Sequence, residues 1–303
     1  MPQKDVSVTQ AEPARIADRI NGAEDLYTAL RAASADGVAP LPQVIAACEP
    51  ATARRLMSVD QGLLRAVMRA GAGLPATAAE RTVRAFLIAA TTAPLFSPDV
   101  ANCASIALMT QGQLPDMPAF SDRAFDGWFA TLRVPYGLGL YGEKRSVYET
   151  PQFADAASPE RRTIHLGIDV FALAMTPVHA PLPGRVLHVT YNADPLDYGN
   201  TLILEHDAGG VPFYTLYGHL AGTLPTLLAV GDLVEPGQLI GHLGDWHENG
   251  GWAAHIHFQI MTDMLEQHSG NFFGVGHESL WDVWQAICID PNVILRLPED
   301  RFR

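Results

Sequence analysis

Three short segments in the second half of the chain carry residue types that bind and assist a catalytic metal ion. His165 and Asp169 stand four residues apart, His255 and His257 stand two apart, and His219 ends the run Tyr-Thr-Leu-Tyr-Gly-His. In an extended strand, residues at even spacing share a face, so each pair is predicted to project to one side. Neutral imidazole and carboxylate are ligands of catalytic Zn²⁺, which keeps a fourth position for water. The spacing therefore favours a catalytic zinc site.

The alternate residues of the same segments are apolar and predict a buried opposite face. Leu166, Ile168 and Val170 fall between or beyond the polar positions of the first segment. The same parity rule places Tyr217 on the face of His219. Tyr217 is therefore either a phenolic donor at the site or an aromatic core residue, and both interpretations stay open at this point.

Each motif is weak when taken alone. A single His-x-His on a strand is more often exposed or structural than metal-binding, and a His-x-x-x-Asp pair is weaker still. Their combination, with Gly167 inside the first pair and the Tyr-Gly-His segment between the two, favours a shared metal site. Ordinary surface or core roles are predicted for the other histidines, which are His179, His188, His206, His242, His247, His268 and His277.

Charge is distributed unevenly along the 303 residues. The net charge of −13 divides into −1 for residues 1–150 and −12 for residues 151–303, and all 11 histidines fall at or after His165. The acidic half contains no lysine, which argues against a nucleic-acid partner because phosphate binding needs clustered Lys and Arg. No apolar run approaches the ~18 residues of a membrane span. The first residues lack an apolar signal region, so a cytoplasmic location is expected.

The two halves are predicted to fold differently. In the first half, apolar residues recur at three- and four-residue spacing, which indicates amphipathic helices. From about Val134 onwards, short alternating runs between turn signals indicate an antiparallel sheet. We therefore predict an α+β protein with a helical module of unknown role over residues 1–133 and a β-sheet domain over residues 134–303. The predicted helices cover residues 14–33, 41–48, 51–70, 78–90 and 279–287, and the predicted strands cover residues 178–189, 200–206, 213–220 and 255–260.

Residues 160–262 resemble the lysostaphin-type (LytM-like) zinc metallopeptidases, a family of peptidoglycan endopeptidases. The resemblance rests on six elements that occur in the family's order. They are His165-Leu-Gly-Ile-Asp169, Thr176-Pro-Val-His-Ala-Pro-Leu-Pro-Gly-Arg-Val186, Asp197-Tyr-Gly-Asn200, Leu216-Tyr-Gly-His-Leu220, Val230-Gly-Asp-Leu-Val-Glu-Pro-Gly-Gln-Leu-Ile-Gly241 and His255-Ile-His-Phe258.

The resemblance implies a role for each of the five site residues. It makes His165, Asp169 and His257 the ligands of one Zn²⁺, and it makes His219 and His255 the unligated catalytic pair. One of that pair would move the proton of the attacking water, and the other would stabilise the oxyanion. The implied activity is zinc-dependent hydrolysis of a peptide bond in peptidoglycan-derived or other peptide-like substrate.

Some features depart from the family pattern. Met175 stands where the family usually has Gly before the Thr-Pro-Val element, and Trp252 is expected to wall a binding groove. A net charge of −13 would be repelled by an anionic cell wall. Two alternatives therefore remain: a metal enzyme of the same fold with a non-peptidase reaction, and a catalytically silent regulatory or binding module. The helical module would either pack beside the sheet domain, select substrate or a partner, or block the cleft.

Overall fold

The computed structural model describes residues 10–110, 113–145 and 153–302. Six helices occupy the described part of the chain up to residue 90. They are α1 (Pro13–Ile20), α2 (Leu26–Ala33), α3 (Leu41–Ala47), α4 (Pro50–Met57), α5 (Gln61–Gly71) and α6 (Glu80–Ala89). Two of the predicted helices are each divided in two, because Gly22 has a left-handed φ of 74° after α1 and the carboxylates of Asp25 and Asp60 cap new helices at α2 and α5.

The rest of the described chain is mainly β-structure. The strands are β1 (Ser105–Ala107), β2 (Tyr136–Gly139), β3 (Ile164–His165), β4 (Ile168–Phe171), β5 (Pro177–His179), β6 (Gly184–Asn192), β7 (Gly199–Asp207), β8 (Pro212–Leu220), β9 (Leu233–Val234), β10 (Leu239–His242), β11 (His255–Met261), β12 (Val275–Gly276) and β13 (Cys288–Ile289). The further α-helices are α7 (Ala124–Thr131), α8 (Leu224–Leu227), α9 (Trp281–Ile287) and α10 (Asn292–Leu295).

One large sheet organises the β-structure. In the described ranges its strand order is β1-β2-β4-β11-β8-β7-β6-β9, and β13 also pairs with β11. All of its pairs are antiparallel except β1 with β2, which is parallel. Two further two-stranded sheets pair β5 with β10 and β3 with β12. This arrangement confirms the predicted α+β class with an antiparallel sheet.

Two predicted strands are interrupted. The segment that contains His165 and Asp169 breaks between β3 and β4, so Leu166 packs in a different core cluster from Ile168. The expectation that Leu166 and Ile168 share one face is therefore wrong. Likewise, the predicted strand over residues 178–189 divides into β5 and β6 because Pro181 and Pro183 cannot donate to a ladder.

The two faces of the large sheet bury separate cores. We call the cluster that includes Ile168, Val170 and Phe258 the first core, and α6 packs on it. The second core includes Leu216 and Met261 of the sheet together with the apolar faces of α1, α2, α5 and α9. Strand β11 has side chains on both faces of the sheet. Its even-numbered apolar residues pack in the first core, and its odd-numbered residues, from His255 to Met261, lie on the face of the second core. The helices α1–α5 thus pack on the sheet face that carries the histidines of β11.

Helix α5 also contacts the segment over residues 262–274, which follows β11. Gly62 of α5 lies so close to Leu265 that an added Cβ would stand 2.6 Å from its Cα atom. Asp60 Oδ2 accepts hydrogen bonds from the Glu266 backbone at 3.2 Å and from Gln267 Nε2 at 2.8 Å. The helices therefore fix the position of this segment at its first residues.

Candidate active site

Strand pairing brings the sequence-predicted residues together. His257 on β11 is the direct ladder partner of Asp169 on β4 and, on its other side, of Gly218 on β8. His165 ends β3 beside them. Gly167 makes this packing possible, because an added Cβ there would stand 2.6 Å from Cε1 of His257. Ladder geometry and one close backbone approach therefore position the cluster.

His165, Asp169 and His257 converge on one point. Asp169 Oδ1 lies 3.0 Å from His257 Nδ1 and 3.3 Å from His165 Nε2, and the two ring nitrogens are 3.0 Å apart. Ligand atoms of a tetrahedral zinc ion lie about 3.3 Å from one another. All three residues are buried, and among the described residues they are the one His/Cys/Asp/Glu group with this clustering of donor atoms. The triangle has the size of one face of a zinc tetrahedron.

The hydrogen bonds of the two imidazoles show which atoms carry lone pairs. His165 Nδ1 donates to the Leu140 carbonyl at 2.9 Å, which leaves Nε2 unprotonated in the neutral ring. His257 Nε2 donates to Oε1 of Gln259 at 2.8 Å, which leaves Nδ1 unprotonated. The Gln259 amide is oriented by its Nε2, which donates to the Phe273 carbonyl at 3.1 Å. Two nitrogen lone pairs and a carboxylate oxygen therefore face one another, an arrangement that a cation stabilises and that fits zinc.

Asp169 is held ionised by its neighbours. Burial alone would raise its pKa, but His165 and the guanidinium of Arg145 reverse this effect and hold the pKa of Asp169 well below its usual range. Arg145 Nη1 lies 2.7 Å from Asp169 Oδ2, and both side chains are buried. Burial lowers the pKa of His165, so that ring is neutral at neutral pH. These are the protonation states that metal ligation requires.

His219 and His255 form a second group beside the triangle, with ring centroids 4.2 Å apart. His219 Nδ1 donates to the Asn249 carbonyl at 2.7 Å, and His255 Nδ1 donates to the Ala253 carbonyl at 2.6 Å. The Nε2 atoms are thereby left as acceptors. Burial lowers the pKa of His255 to about 4, and burial together with His255 holds the pKa of His219 well below its usual value. Both rings are neutral bases in this protein.

The backbone at His219 corrects the prediction for Tyr217. His219 has a left-handed φ of 63°, and the pairing register between β7 and β8 shifts in this region. The irregularity turns His219 to the cleft, while Tyr217 packs on Phe258 in the first core. The assignment of the two residues to one face is therefore wrong. Tyr217 is a core aromatic whose hydroxyl is hydrogen-bonded to Oγ1 of Thr215 at 3.1 Å.

The cluster opens into a cleft of about 370 Å³. Its described lining begins at Phe120 and ends at Val275, so no described residue of α1–α6 covers it. Trp252 lies in the wall, as expected, and its indole ring approaches His219. Tyr198 lines the cleft between His219 and His257, with ring centroids 5.6 and 5.1 Å away.

Three further residues orient the predicted site residues, a role that the sequence motifs did not assign to them. Arg145, Gln259 and the Asn249 carbonyl orient Asp169, His257 and His219, respectively. Gln259 had one available signal, because it stands two residues after His257 on the same strand face. Met175, by contrast, explains a noted departure: its φ of 64° lies in the left-handed region that favours Gly.

Comparison with known proteins identifies the domain. Residues 163–269 match the model of Peptidase family M23. Strands β3–β11 and the buried His-Asp-His cluster lie within the matched residues, which supports a hydrolase that acts on peptide bonds. This chain carries an M23 peptidase domain, in agreement with the resemblance of its motifs to lysostaphin-type enzymes.

Several solved structures are similar to parts of the chain. A zinc containing peptidase from Vibrio cholerae is 30% identical over 33% of this chain and 28% of its own, with a TM-score of 0.28. The catalytic domain of the antimicrobial peptidase lysostaphin from Staphylococcus simulans is 23% identical over 52% of this chain and 96% of its own, with a TM-score of 0.32. A longer structure of lysostaphin from Staphylococcus simulans is 25% identical over 53% of this chain and 50% of its own, with a TM-score of 0.33. The search of curated proteins found no match.

None of the helices in the described ranges has the length and apolar character that a membrane span needs. The cytoplasmic location and the division into modules at residue 133 stay predictions.

Proposed function

We propose that this protein is a zinc-dependent metalloendopeptidase that hydrolyses a peptide bond in peptidoglycan-derived or other peptide-like substrate. The observation that carries the proposal is the convergence of three lone-pair atoms, from His165, Asp169 and His257, within 3.3 Å of one another. When bound there, zinc would lower the pKa of a water molecule and polarise the scissile carbonyl. The M23 match of residues 163–269 supports the peptidase class.

The unligated pair supplies the proton transfers in this proposal. One of the Nε2 atoms of His219 and His255 accepts a proton from the attacking water and delivers it to the leaving amine nitrogen. The other takes up a proton from solvent and then donates a hydrogen bond to the oxygen of the former carbonyl. Because both Nδ1 atoms are engaged with backbone carbonyls, each ring has one defined nitrogen for this work. Both rings begin as neutral bases, as burial requires.

A peptide fragment is the proposed substrate class. The cleft lining combines aromatic rings such as Trp252 with polar groups such as Asp194 and Asn271, which suits an extended peptide backbone. Asp194 is exposed at the cleft, and residues 151–303 carry a net charge of −12. This charge repels an intact anionic wall polymer and favours neutral or amine-bearing peptides.

The test combines metal content with hydrolysis. We expect about one zinc per chain in the purified protein and cleavage of at least one member of a panel of muropeptides and short peptides. His165→Ala should lose both properties, while His179→Ala, which alters a partly exposed histidine of β5, should keep both. Zinc binding without peptide cleavage would point to a non-peptidase reaction at the same ion. Absence of zinc after supplementation would overturn the proposal in favour of a silent binding module.

A further inference from the structure

The two oxygens of the Asp169 carboxylate have different partners. Oδ1 faces the ring nitrogens of His165 and His257 at 3.3 and 3.0 Å. Oδ2 points away from them and lies 2.7 Å from Nη1 of Arg145. The guanidinium thus occupies the oxygen that the zinc triangle does not use. No motif contains Arg145, which precedes β3 in a different part of the chain.

Arg145 is itself held in place by a second carboxylate. Its Nε donates to Glu143 Oε2 at 3.1 Å, and the side chains of both residues are at most 4% exposed. Glu143 Oε1 accepts two hydrogen bonds from Thr110, from the backbone nitrogen at 2.6 Å and from the hydroxyl at 2.9 Å. A continuous network therefore runs from Thr110, which is partly buried and follows β1, through the buried Glu143 and Arg145 to the carboxylate of Asp169.

Strand β2 leaves space for the guanidinium of Arg145. Gly139 on β2 is the ladder partner of Asp169 on β4. An added Cβ at residue 139 would clash with Nη2 of Arg145 and stand 3.0 Å from Asp169 Oδ2. The guanidinium therefore lies over a position that has no side chain. A residue larger than glycine at position 139 would therefore displace the guanidinium of Arg145.

The physical consequence concerns how Asp169 binds a cation. A carboxylate whose Oδ2 is occupied by a fixed guanidinium presents only Oδ1, so it acts as a one-oxygen ligand with a defined direction. Partners that orient ligands in this way are typically responsible for 10–100-fold of metal affinity. Arginine suits the role because its fork reaches Glu143 through Nε and Asp169 through Nη1 at once, which a lysine ammonium cannot do in the same geometry.

We infer that Arg145 is a positioning residue that holds Asp169 in one-oxygen coordination of the metal, and that Glu143 and Thr110 hold Arg145 for this purpose. The inference rests on the proposed function only in requiring that the cluster binds a divalent metal. It does not depend on which substrate is cleaved.

The test measures the metal site directly, in full-length protein. Zinc affinity is measured by competition with a chromogenic chelator, and Co²⁺ replaces zinc so that its visible absorption spectrum reports coordination. Arg145→Met is expected to lower zinc affinity by about 10–100-fold and to weaken the cobalt bands as Asp169 turns to two-oxygen binding. Arg145→Lys should give a smaller change in the same direction. The matched control is Arg84→Met, which removes an arginine paired with Glu80 on α6.

A rescue experiment separates positioning from a general structural role. Free guanidinium ion at low millimolar concentration should restore part of the affinity and the cobalt spectrum of Arg145→Ala, because the ion can occupy the vacated position beside Asp169 Oδ2. If the larger deletions do not fold, Arg145→Lys and Glu143→Gln decide the question. Unchanged zinc affinity and an unchanged cobalt spectrum in a folded Arg145 variant would overturn the inference. Absence of metal from the wild-type protein would instead overturn the proposed function.

Discussion

The two groups of histidine at the cleft are held by different kinds of partner. The triangle of His165, Asp169 and His257 depends mainly on other side chains, since Gln259 fixes one ring and Arg145 fixes the carboxylate. The pair of His219 and His255 depends on backbone carbonyls of Asn249 and Ala253, which belong to the loop before β11. The ligand group is thus built into the sheet and its buried network, and the proton-transfer group is oriented by a loop.

This difference predicts that metal binding and turnover can be separated by mutation. Side-chain partners of a ligand affect how strongly the ion is bound. Carbonyls that select one tautomer of a base affect which nitrogen faces the substrate, and hence the rate. Changes in the buried network should therefore lower metal affinity first, whereas changes in the loop should lower turnover while the ion remains bound.

The strongest separation is expected between His257→Ala and His219→Ala. The first removes a ligand atom of the triangle and should lower zinc affinity by more than about 100-fold, beyond the loss typical of an outer partner. The second should retain about one zinc per chain and lower kcat by about 10²–10⁴-fold, the usual contribution of a general acid or base. Elemental analysis and hydrolysis of the best substrate provide the two measurements.

His255→Ala serves as the companion variant. His255 lies in the regular strand β11, whereas His219 has a left-handed φ of 63° that Ala adopts with some strain. Both variants should behave alike if the two rings form one functional group. Equal metal loss in His219→Ala and His257→Ala would show that the ligand assignment is wrong.

A smaller and more specific contrast concerns Gln259 and Asn249. Gln259→Leu removes the acceptor of His257 Nε2–H and should weaken zinc binding by about 10–100-fold. Asn249→Ala removes a buried amide that accepts from Gly251 and Trp252 and donates to the Gly244 and Trp252 carbonyls. Without it the loop carbonyl that orients His219 shifts, and kcat should fall about tenfold at unchanged zinc content.

Asn292→Ala is the matched control for the loop variant. Asn292 also bonds backbone groups through its amide, at Leu297 in the C-terminal segment, but it lies outside the cleft. Its kcat should equal that of the wild type. A result in which Asn249→Ala loses zinc, or Gln259→Leu loses turnover with zinc fully bound, would contradict the division between the two groups.

The sequence predicted the site residues on regular paired strands better than those at irregular backbone. Parity on β11 placed His255 and His257 on one face, and the structure has them there because β11 is regular over seven residues. The same rule misplaced Tyr217 relative to His219, because the positive φ at His219 reverses the alternation. Parity requires continuous extended backbone, and one left-handed residue is enough to defeat it.

The supporting residues were beyond prediction for a different reason. Arg145 reaches Asp169 only because β2 pairs with β4 and Gly139 leaves room between them, which is information about pairing rather than local pattern. The α+β class was predictable because helical and strand periodicities differ along the whole chain. The packing of α1–α5 on the sheet face that carries the histidines was not predictable. The apolar face of an amphipathic helix indicates that the helix packs on another element, but it does not indicate which face of the sheet that is.

A third buried histidine offers the mildest test of the same comparison. His206 on β7 resembles His255 in that burial lowers its pKa to about 4. It differs in that both ring nitrogens are engaged, Nδ1 with the Pro183 carbonyl and Nε2 with the Thr215 hydroxyl, each at 2.7 Å. If free ring nitrogens distinguish the catalytic pair, His206→Gln should leave zinc content and kcat unchanged at pH 7.5.

The effect of His206 should instead appear in stability against pH. Its folded pKa lies below the unfolded value of about 6.5, so the unfolded chain binds the proton first and stability falls as the pH drops from 6.5 towards 4. At pH 5 the wild type should have lost about 2 kcal/mol of unfolding free energy through this group, whereas His206→Gln has no such group to lose. Urea unfolding should therefore show that the difference in unfolding free energy between the wild type and His206→Gln is smaller at pH 5.0 than at pH 7.5 by about that amount. If the difference in unfolding free energy is the same at both pH values, His206 is not held neutral by burial. If His206→Gln loses zinc, His206 and the metal site are coupled, and the hydrogen bonds of the ring nitrogens do not separate the histidines into independent groups.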